Sequence, residues 1–349
     1  MKRDTALSIA AVTKHQYYYR PTGKKRGRKA SGTTLKVEGE NVDRVPNQQV
    51  VEAIQEIQAD PDTDYGYRKM TVALLLMGYL INHKKVYRLM KEGLLLKDRF
   101  QKAQRTFVKY RKVLPAGPLQ VIEMDIKYVW VNQYSRYAFV LTIIDTFIRV
   151  VLAWEVAFQI KQALVRQVWE KVVNNYLQPY DCLKRGIQIE VRNDNDSRFV
   201  AGSVQPFFAE NHLHQVFIHP CTPQENGHIE SFHSILSQKL KRYDFWSLDD
   251  LERVLVLFYE KYNNHRLHSS VLNLPPGVFW QCWDRGLVQT RINEEKRTIK
   301  HSLKIPYHEL SGKMSQRAVP CSQPKTLDGF EGDKKTGMSG AETSVQPSV

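Results

Sequence analysis

Three acidic side chains stand where a solvated carboxylate is out of place. Asp125 interrupts the apolar stretch VIEMDIKYVW, Asp194 closes IQIEVRND, and Glu230 lies in PQENGHIESFHSIL, which reads as the start of a helix. Between Asp125 and Asp194 lie 68 residues, and between Asp194 and Glu230 lie 35. A carboxylate in an apolar element is costly unless something neutralises it, and in phosphoryl transfer that is usually a pair of divalent cations. The three residues point to metal-dependent chemistry on phosphodiesters.

The elements around them have to bring them together. From Leu119, the apolar residues Ile122, Met124, Ile126, Tyr128 and Trp130 alternate with Glu123, Asp125 and Lys127, the pattern of a strand with one buried face. The stretches YAFVLTII (137–144) and IRVVLAWEV (148–156) are β-branched and tightly connected, so the three form an antiparallel meander. A helix over Lys161–Leu177, a strand over 187–193, a helix over Val200–Asn211, a short strand over 214–218 and helices over 225–242 and 248–264 follow. That order is the order of an RNase H-like α/β domain, a mixed five-stranded sheet with flanking helices. Asp125 falls mid-strand on the polar face and Asp194 at the carboxyl end of the fourth strand. On the Glu230 helix, Ile229, Phe232, Leu236 and Leu240 make the core face, while Asn226, Glu230, His233, Ser237 and Lys241 line the other.

The net charge of +15 is unevenly spread. Residues 1–117 hold 24 Lys and Arg against 11 Asp and Glu, and residues 118–349 hold 27 against 25. A basic module that grips a polyanion, joined to a nearly neutral core, accounts for the asymmetry. A short apolar-periodic segment opens the chain and ends at Pro21 and Gly23, and KKRGRK follows, placing Lys24, Lys25, Arg26 and Arg28 in a basic linker. Residues 47–97 read as three helices. The first ends in the acidic loop ADPDTDYGY and the second, Arg68 to Met77, at Gly78. The third is capped by Asn82 and turns Val86, Leu89 and Met90 inward and Lys84, Lys85, Arg88 and Lys91 outward. A helix pair with a short Gly-containing turn and a basic second helix is compatible with helix-turn-helix DNA binding.

The expected organisation is a helical segment and basic linker over 1–45, a small all-α helix-turn-helix-like domain over 46–100 and a second basic linker over 101–117. The α/β core follows over 118–285, and a C-terminal extension over 286–349, largely disordered after about residue 310. Cys182, Cys221, Cys282 and Cys321 are scattered, with no CxxC and no zinc-finger spacing, and read as reduced thiols of a cytosolic protein. The most apolar window, VALLLMGYLI, is ten residues long, short of the roughly 18 a membrane span needs. Among the remaining acidic residues, Asp145 suits a turn, Glu123 the edge of its strand, and Glu225 the first turn of the following helix. His228 and His233 suit an exposed helix surface, within reach of a phosphate or a metal.

The segments HQYYYRPTGKKRGRK, DYGYRKMTVALLLMGYLINHKKVYRLMKEGLLL, MDIKYVWV, YAFVLTIIDTFIRVVLAWEV, RNDNDSRFVA, PQENGHIESFHSIL and YNNHRLHSSVLNLPPGVFW stand in one order over roughly residues 5–280. As an ordered set they resemble the DDE insertion-sequence transposases made by frameshifting between two reading frames, and within these the second-frame (OrfB) protein with its RNase H-like integrase core. The resemblance implies that Asp125, Asp194 and Glu230 are both catalytic and metal-binding. It implies two Mg2+ ions, with Mn2+ as substitute, and cleavage at element ends followed by transfer of the freed 3′-hydroxyl into target DNA. Double-stranded DNA as partner, a homo-oligomer on DNA, a possible upstream-frame helix-turn-helix protein and a bacterial cytoplasmic location follow from it too. DNA contacts fall on Lys24, Lys25, Arg26, Arg28, Lys84, Lys85, Arg88, Asn226, His233 and Lys241. Around the second aspartate the family usually reads Ser-Asp-x-Gly, whereas Asn193 and Asp196 stand here in place of the Ser and Gly, so Asp196 is the rival to Asp194.

Two other readings share these residues: a metal-dependent nuclease or resolvase on the same fold, and a decayed, non-catalytic DNA-binding derivative. The basic N-terminal module and the Asn226-Gly227-x-x-Glu230 motif speak against the first, and the intact set of three carboxylates against the second.

Overall fold

The computed structural model describes residues 2–20, 30–63, 65–97, 113–200, 202–219 and 223–310. The basic run 24–29, most of the 101–117 linker and the chain after 310 lie outside the described residues. Helices Arg3–Ile9 (α1) and Lys14–Tyr18 (α2) open the chain, and Thr13 closes a capping box with Gln16 at the start of α2.

The module that follows has the three helices that the apolar periodicity gives, Asn47–Ala59 (α3), Tyr67–Leu76 (α4) and His83–Glu92 (α5). Asn82 caps α5 by accepting the Lys85 N–H at 2.9 Å. The module is not all helix. Thr33–Glu38 (β1) and Asn41–Pro46 (β2) form a hairpin within the segment expected as helix and linker, and Tyr79–Leu80 (β3) adds to it in the order β2-β1-β3. Its strands are short and mostly exposed, so they leave little apolar periodicity to read. Gly78 makes the third strand possible. Its φ is +87°, and a Cβ there would run into the Val37 carbonyl.

The larger domain is built on the five-stranded sheet expected of an RNase H-like core. Val121–Val131 (β4), Arg136–Asp145 (β5) and Val151–Ala157 (β6) form the antiparallel meander. Helix Gln162–Val172 (α6), extended by a π-helical turn to Leu177, leads to strand Ile189–Asn193 (β7). Helices Ser197–Val200 (α7) and Val204–Glu210 (α8) precede strand Leu213–Phe217 (β8). The strand order is β6-β5-β4-β7-β8, with β4, β7 and β8 parallel to one another. Helices Gly227–Leu240 (α9) and Leu248–Asn264 (α10) cover one face, where Phe232, Leu236, Leu255 and Tyr259 pack on Val129, Val140 and Trp154. The other face packs Met124, Ile143 and Leu152 against α6 and α8, and Trp169 donates its indole N–H to the Met124 sulfur at 3.1 Å. Asn263 locks α10 to β6, its side chain accepting from and donating to the Val151 backbone at 2.9 and 2.8 Å.

Beyond helix Pro276–Asp284 (α11), a hairpin of Val288–Asn293 (β9) and Thr298–Leu303 (β10) occupies the first part of the expected C-terminal extension. Val288 and Leu310 join the apolar cluster that also holds the module residues Val50, Met70 and Leu89. The acidic loop after α3 fastens the same junction. Asp62 meets Lys239 at 2.6 Å and Arg242 at 3.1 Å, and Asp60 pairs with Lys261. Leu267 donates its N–H to the Tyr65 hydroxyl at 2.9 Å, and its carbonyl accepts from Lys69 at 2.8 Å. Burial, with Arg266 nearby, lowers the Lys69 pKa to about 8. No helix among the described residues is long and apolar enough to cross a membrane.

Gly78→Ala should destabilise the protein by about 2 kcal/mol, because it forces a left-handed backbone on a residue with a Cβ and no room for it. Urea unfolding of the two proteins measures the difference.

Candidate active site

The sheet register explains the first spacing. Ile122 lies opposite Val191 and Glu123 opposite Arg192 across the parallel β4–β7 pair, an offset of 69 positions that is also the difference between Asp125 and Asp194. Continued two residues past Glu123, the register sets the two aspartates side by side on neighbouring strands, which run about 4.8 Å apart. Odd-numbered residues of β4 face α9 and α10, so Asp125 points to that side. Its side chain is partly exposed, accepts the Ile126 N–H at 2.8 Å and meets His233 Nδ1 at 3.3 Å.

Asp194 follows the last residue of β7. Asn193 beneath it is fully buried, donates to the Asp194 carbonyl at 2.6 Å and accepts from Gln215 at 3.0 Å, which fixes the strand end. Burial raises the Asp194 pKa, and the charges of Asp125 and Asp196 push it the same way against the Asp196 N–H and Arg198. Asp196 is different in kind. Its carboxylate accepts from Arg198 Nε at 2.8 Å and N–H at 2.9 Å, and the arginine bond holds its pKa below the ordinary value. Arg198 also donates to the Tyr128 hydroxyl at 3.1 Å. The carboxylate of Asp196 is thus taken up by an arginine, whereas Asp194 lies within the field of Asp125.

Glu230 projects from the exposed side of the first turn of α9, while Ile229, Phe232, Leu236 and Leu240 are buried beneath. The start of that helix is anchored by a residue the sequence reading misplaces. Glu123 is not at an exposed strand edge but 1% accessible, and its Oε2 accepts the N–H groups of His228 at 3.0 Å and Ile229 at 2.7 Å. Orphan donors at a helix N-terminus, with the positive end of the dipole behind them, are the natural partners of a buried carboxylate. Burial raises the Glu123 pKa to about 7, while the two amides, Arg149 and Arg192 work to lower it. Arg149 also neighbours Asp145, a buried turn residue whose carboxylate accepts from Leu119 at 2.7 Å, Phe147 at 2.8 Å and Ile148 at 2.7 Å. Nothing local in the sequence marks Glu123, because its burial comes from α9 closing over that face of β4.

The expected triad is brought only partly together. Asp125, Asp194 and His233 gather at the β4–β7–α9 junction, and Glu230 lies one helical turn before His233. No three acidic, His or Cys side chains among the described residues close around one metal-sized point. His233 reaches Asp125 instead of pointing outward, and its Nε2 is buried without a hydrogen-bond partner. Asn226 is buried, and its Oδ1 is likewise unpartnered. Glu225 holds His219, accepting its N–H at 2.9 Å. Lys241, at the end of α9, is exposed and close enough to lower the Lys127 pKa, which burial lowers first and Asp125 raises. Lys84 is exposed, whereas Lys85 and Arg88 reach back to the carbonyls of Thr33 at 2.6 Å and Ser31 at 3.0 Å. Lys24, Lys25, Arg26 and Arg28 lie outside the described residues.

Known proteins match parts of the chain. Residues 46–100 match the HTH-like domain, residues 115–223 the integrase core domain, and residues 211–276 a second integrase core domain model. The chain is 28% identical over 217 residues to the insertion element IS476 uncharacterized 39.2 kDa protein of Xanthomonas euvesicatoria, 62% of this chain and 60% of that one, so the match spans less than two thirds of the relative. It is 24% identical over 239 residues to the putative transposase InsK for insertion sequence element IS150 of Escherichia coli (strain K12), 65% of this chain and 81% of the relative. The catalytic domain of Mos1 mariner transposase aligns at a TM-score of 0.36 and 14% identity over 47% of this chain and 74% of that one. Together, the matched segments make the chain an integrase-core protein with an HTH-like domain in front. The relatives it matches are insertion-element proteins, and the motifs quoted above resemble those of the insertion-sequence transposases.

Glu123 carries two expectations. Glu123→Ala should cost about 2–4 kcal/mol, since it leaves two buried helix N–H groups unpaired, and Glu123→Gln, which keeps an acceptor, should recover at least half; urea midpoints read both. A carboxyl whose pKa is raised in the folded protein contributes stability that is present below its unfolded value, near 4.5, and lost as pH rises through about 7. Stability should therefore fall between pH 5 and pH 8, and the fall should be shallower in Glu123→Gln.

Proposed function

We propose that the protein is a DNA transposase whose core cuts phosphodiesters at the ends of an insertion sequence and joins the freed 3′-hydroxyl to target DNA. The observation that carries this reading is the β4–β7 register, which ends at Glu123 and Arg192 and, continued by two residues, would set Asp125 beside Asp194 at the open end of the sheet, within the segment matching the integrase core domain. The donor chemistry fits a hard divalent cation. Burial raises the pKa of Asp194 and the charge of Asp125 adds to it, and the ring of His233, which meets Asp125 at 3.3 Å, keeps its buried Nε2 unpartnered. Asp125 and Asp194, with Glu230 from α9, would hold Mg2+ or Mn2+, two ions in the complete site, and the ions would supply a deprotonated nucleophile and charge for the leaving oxygen.

The rest of the work falls to the chain itself. His233 orients Asp125 through their 3.3 Å contact. Arg198 withdraws Asp196 from competition. Glu123 holds the helix that carries Glu230 against the strand that carries Asp125. Element-end DNA and target DNA are the substrates. The HTH-like module supplies the grip, with exposed Lys84 facing phosphate, and a homo-oligomer synapses two ends.

Purified protein with Mg2+ or Mn2+ should cleave or join DNA bearing the element's terminal repeats. Asp194→Asn should lower this by at least about a thousandfold, the scale of losing a group that acts on the transition state, with DNA affinity unchanged. Asp196→Asn should stay within about tenfold of the parent protein, a loss of 1.4 kcal/mol or less. Full activity in Asp194→Asn would sink the assignment.

A further inference from the structure

Past the aspartates, β4 runs on without its parallel neighbour. The β4–β7 ladder ends at Glu123–Arg192, whereas the β4–β5 ladder continues to Val131–Arg136. On the face of this overhang away from α9, cross-strand pairing sets Tyr128 opposite Phe139 and Trp130 opposite Tyr137. The rings form a connected edge-to-face array, with centroids 5.0 Å apart for Tyr128–Phe139 and 5.1 Å for Trp130–Tyr137. Tyr128, Trp130 and Tyr137 remain 53%, 45% and 53% accessible, although they lie on strands whose other residues on that face are core.

We propose that this array is a stacking platform for unpaired bases of the DNA strand whose phosphate lies at Asp125 and Asp194. The inference rests on the transposase reading of that pair. Three features select single-stranded nucleic acid as the occupant. The first is continuity: Arg198 holds Asp196, two residues beyond Asp194, donates to the Tyr128 hydroxyl at 3.1 Å and lies over the Phe139 ring at 5.1 Å. Tyr128 itself is three residues past Asp125, about 10 Å along the strand and on its other face, so the DNA strand would pass round the β4 edge that β7 leaves unpaired beyond Glu123. The second is charge. Beside Arg198 opens a cleft of about 560 Å³ lined by Lys161, Gln162, Ser197 and Ser203 with no acidic side chain, a track suited to phosphates while bases lie on the rings.

The third is area. Three half-exposed rings offer roughly 300 Å², well below the ~800 Å² that each partner gives to a stable protein interface. Aromatic faces bind any base, so such a platform holds a strand without reading its sequence, and it favours DNA that is frayed or opened at the cut.

Fluorescence anisotropy of the full chain with a labelled single-stranded oligonucleotide of mixed sequence, and with the same sequence as duplex, tests this. Trp130→Ala and Tyr137→Ala should each weaken single-strand binding about tenfold, leave duplex binding within twofold, and leave the melting temperature and sedimentation coefficient unchanged. Tyr137→Phe should bind like the parent. Unchanged single-strand affinity in the Trp130→Ala/Tyr137→Ala double variant would overturn the platform, and so would loss of self-association with single-strand binding intact, which would make the patch a protein interface. Asp194→Asn separates this from the parent reading: it removes cleavage and leaves platform binding untouched, whereas a protein that never cleaves yet loses single-strand affinity in Trp130→Ala would refute the first reading alone.

Discussion

A single buried carboxylate sets the distance between the strand and the helix on which the site depends. Glu123 is shut away from water and could not remain in the sheet without donors, and the donors it has are the free N–H groups at the start of α9. The same two bonds satisfy the helix end, which would otherwise leave its first amides unpaired in the interior. Strand and helix therefore solve each other's problem. Asp125 is two residues along the strand from this anchor, and Glu230 one residue past the second amide, so both carboxylates inherit their position from one contact. Arg149 stands behind it, shared with Asp145, and ties the β5–β6 turn into the same charge balance.

The second constraint is register. A parallel ladder admits no partial slip, because moving it by one residue turns every side chain to the opposite face. On β4 such a slip would turn Asp125 onto the face that Met124 and Ile126 now fill, and Val129 out of the core beneath α9. The apolar alternation that makes β4 fold is thus also what keeps the aspartate on the α9 side of the sheet.

Much of this was legible in the chain. The alternation from Ile122 to Trp130 gave the first strand and the face of Asp125, and the i, i+3, i+7, i+11 pattern from Ile229 to Leu240 gave the buried side of α9. Asn82 as a cap and Gly78 as a stop were legible because each has a local physical signature. What escaped was non-local. Glu123 reads as polar until the helix that covers it is known. His233 looks like a surface histidine because only the packing of α9 on β4 brings it to Asp125. That Arg198 takes up Asp196 and not Asp194 depends on loop geometry that spacing does not encode. The β1–β2 and β9–β10 hairpins are short and exposed, and their pairing is set by backbone bonds rather than by an apolar face.

The loop bearing Asp60 and Asp62 reaches Lys239 and Arg242 at the end of α9 and Lys261 on α10, with apolar contacts running beneath it. These helices are the ones that cover the Asp125 face of the sheet. The HTH-like module is therefore not a bead on a tether but a fitted part, keyed to its core by complementary charges. Exchange of one protein's HTH-like module onto another's integrase-like core meets a compatibility test here: a transplanted module lacking acids at those two positions would leave three cations crowded at the seam. The boundary that matters for building such hybrids runs through this charged seam as much as through the linker between the domains.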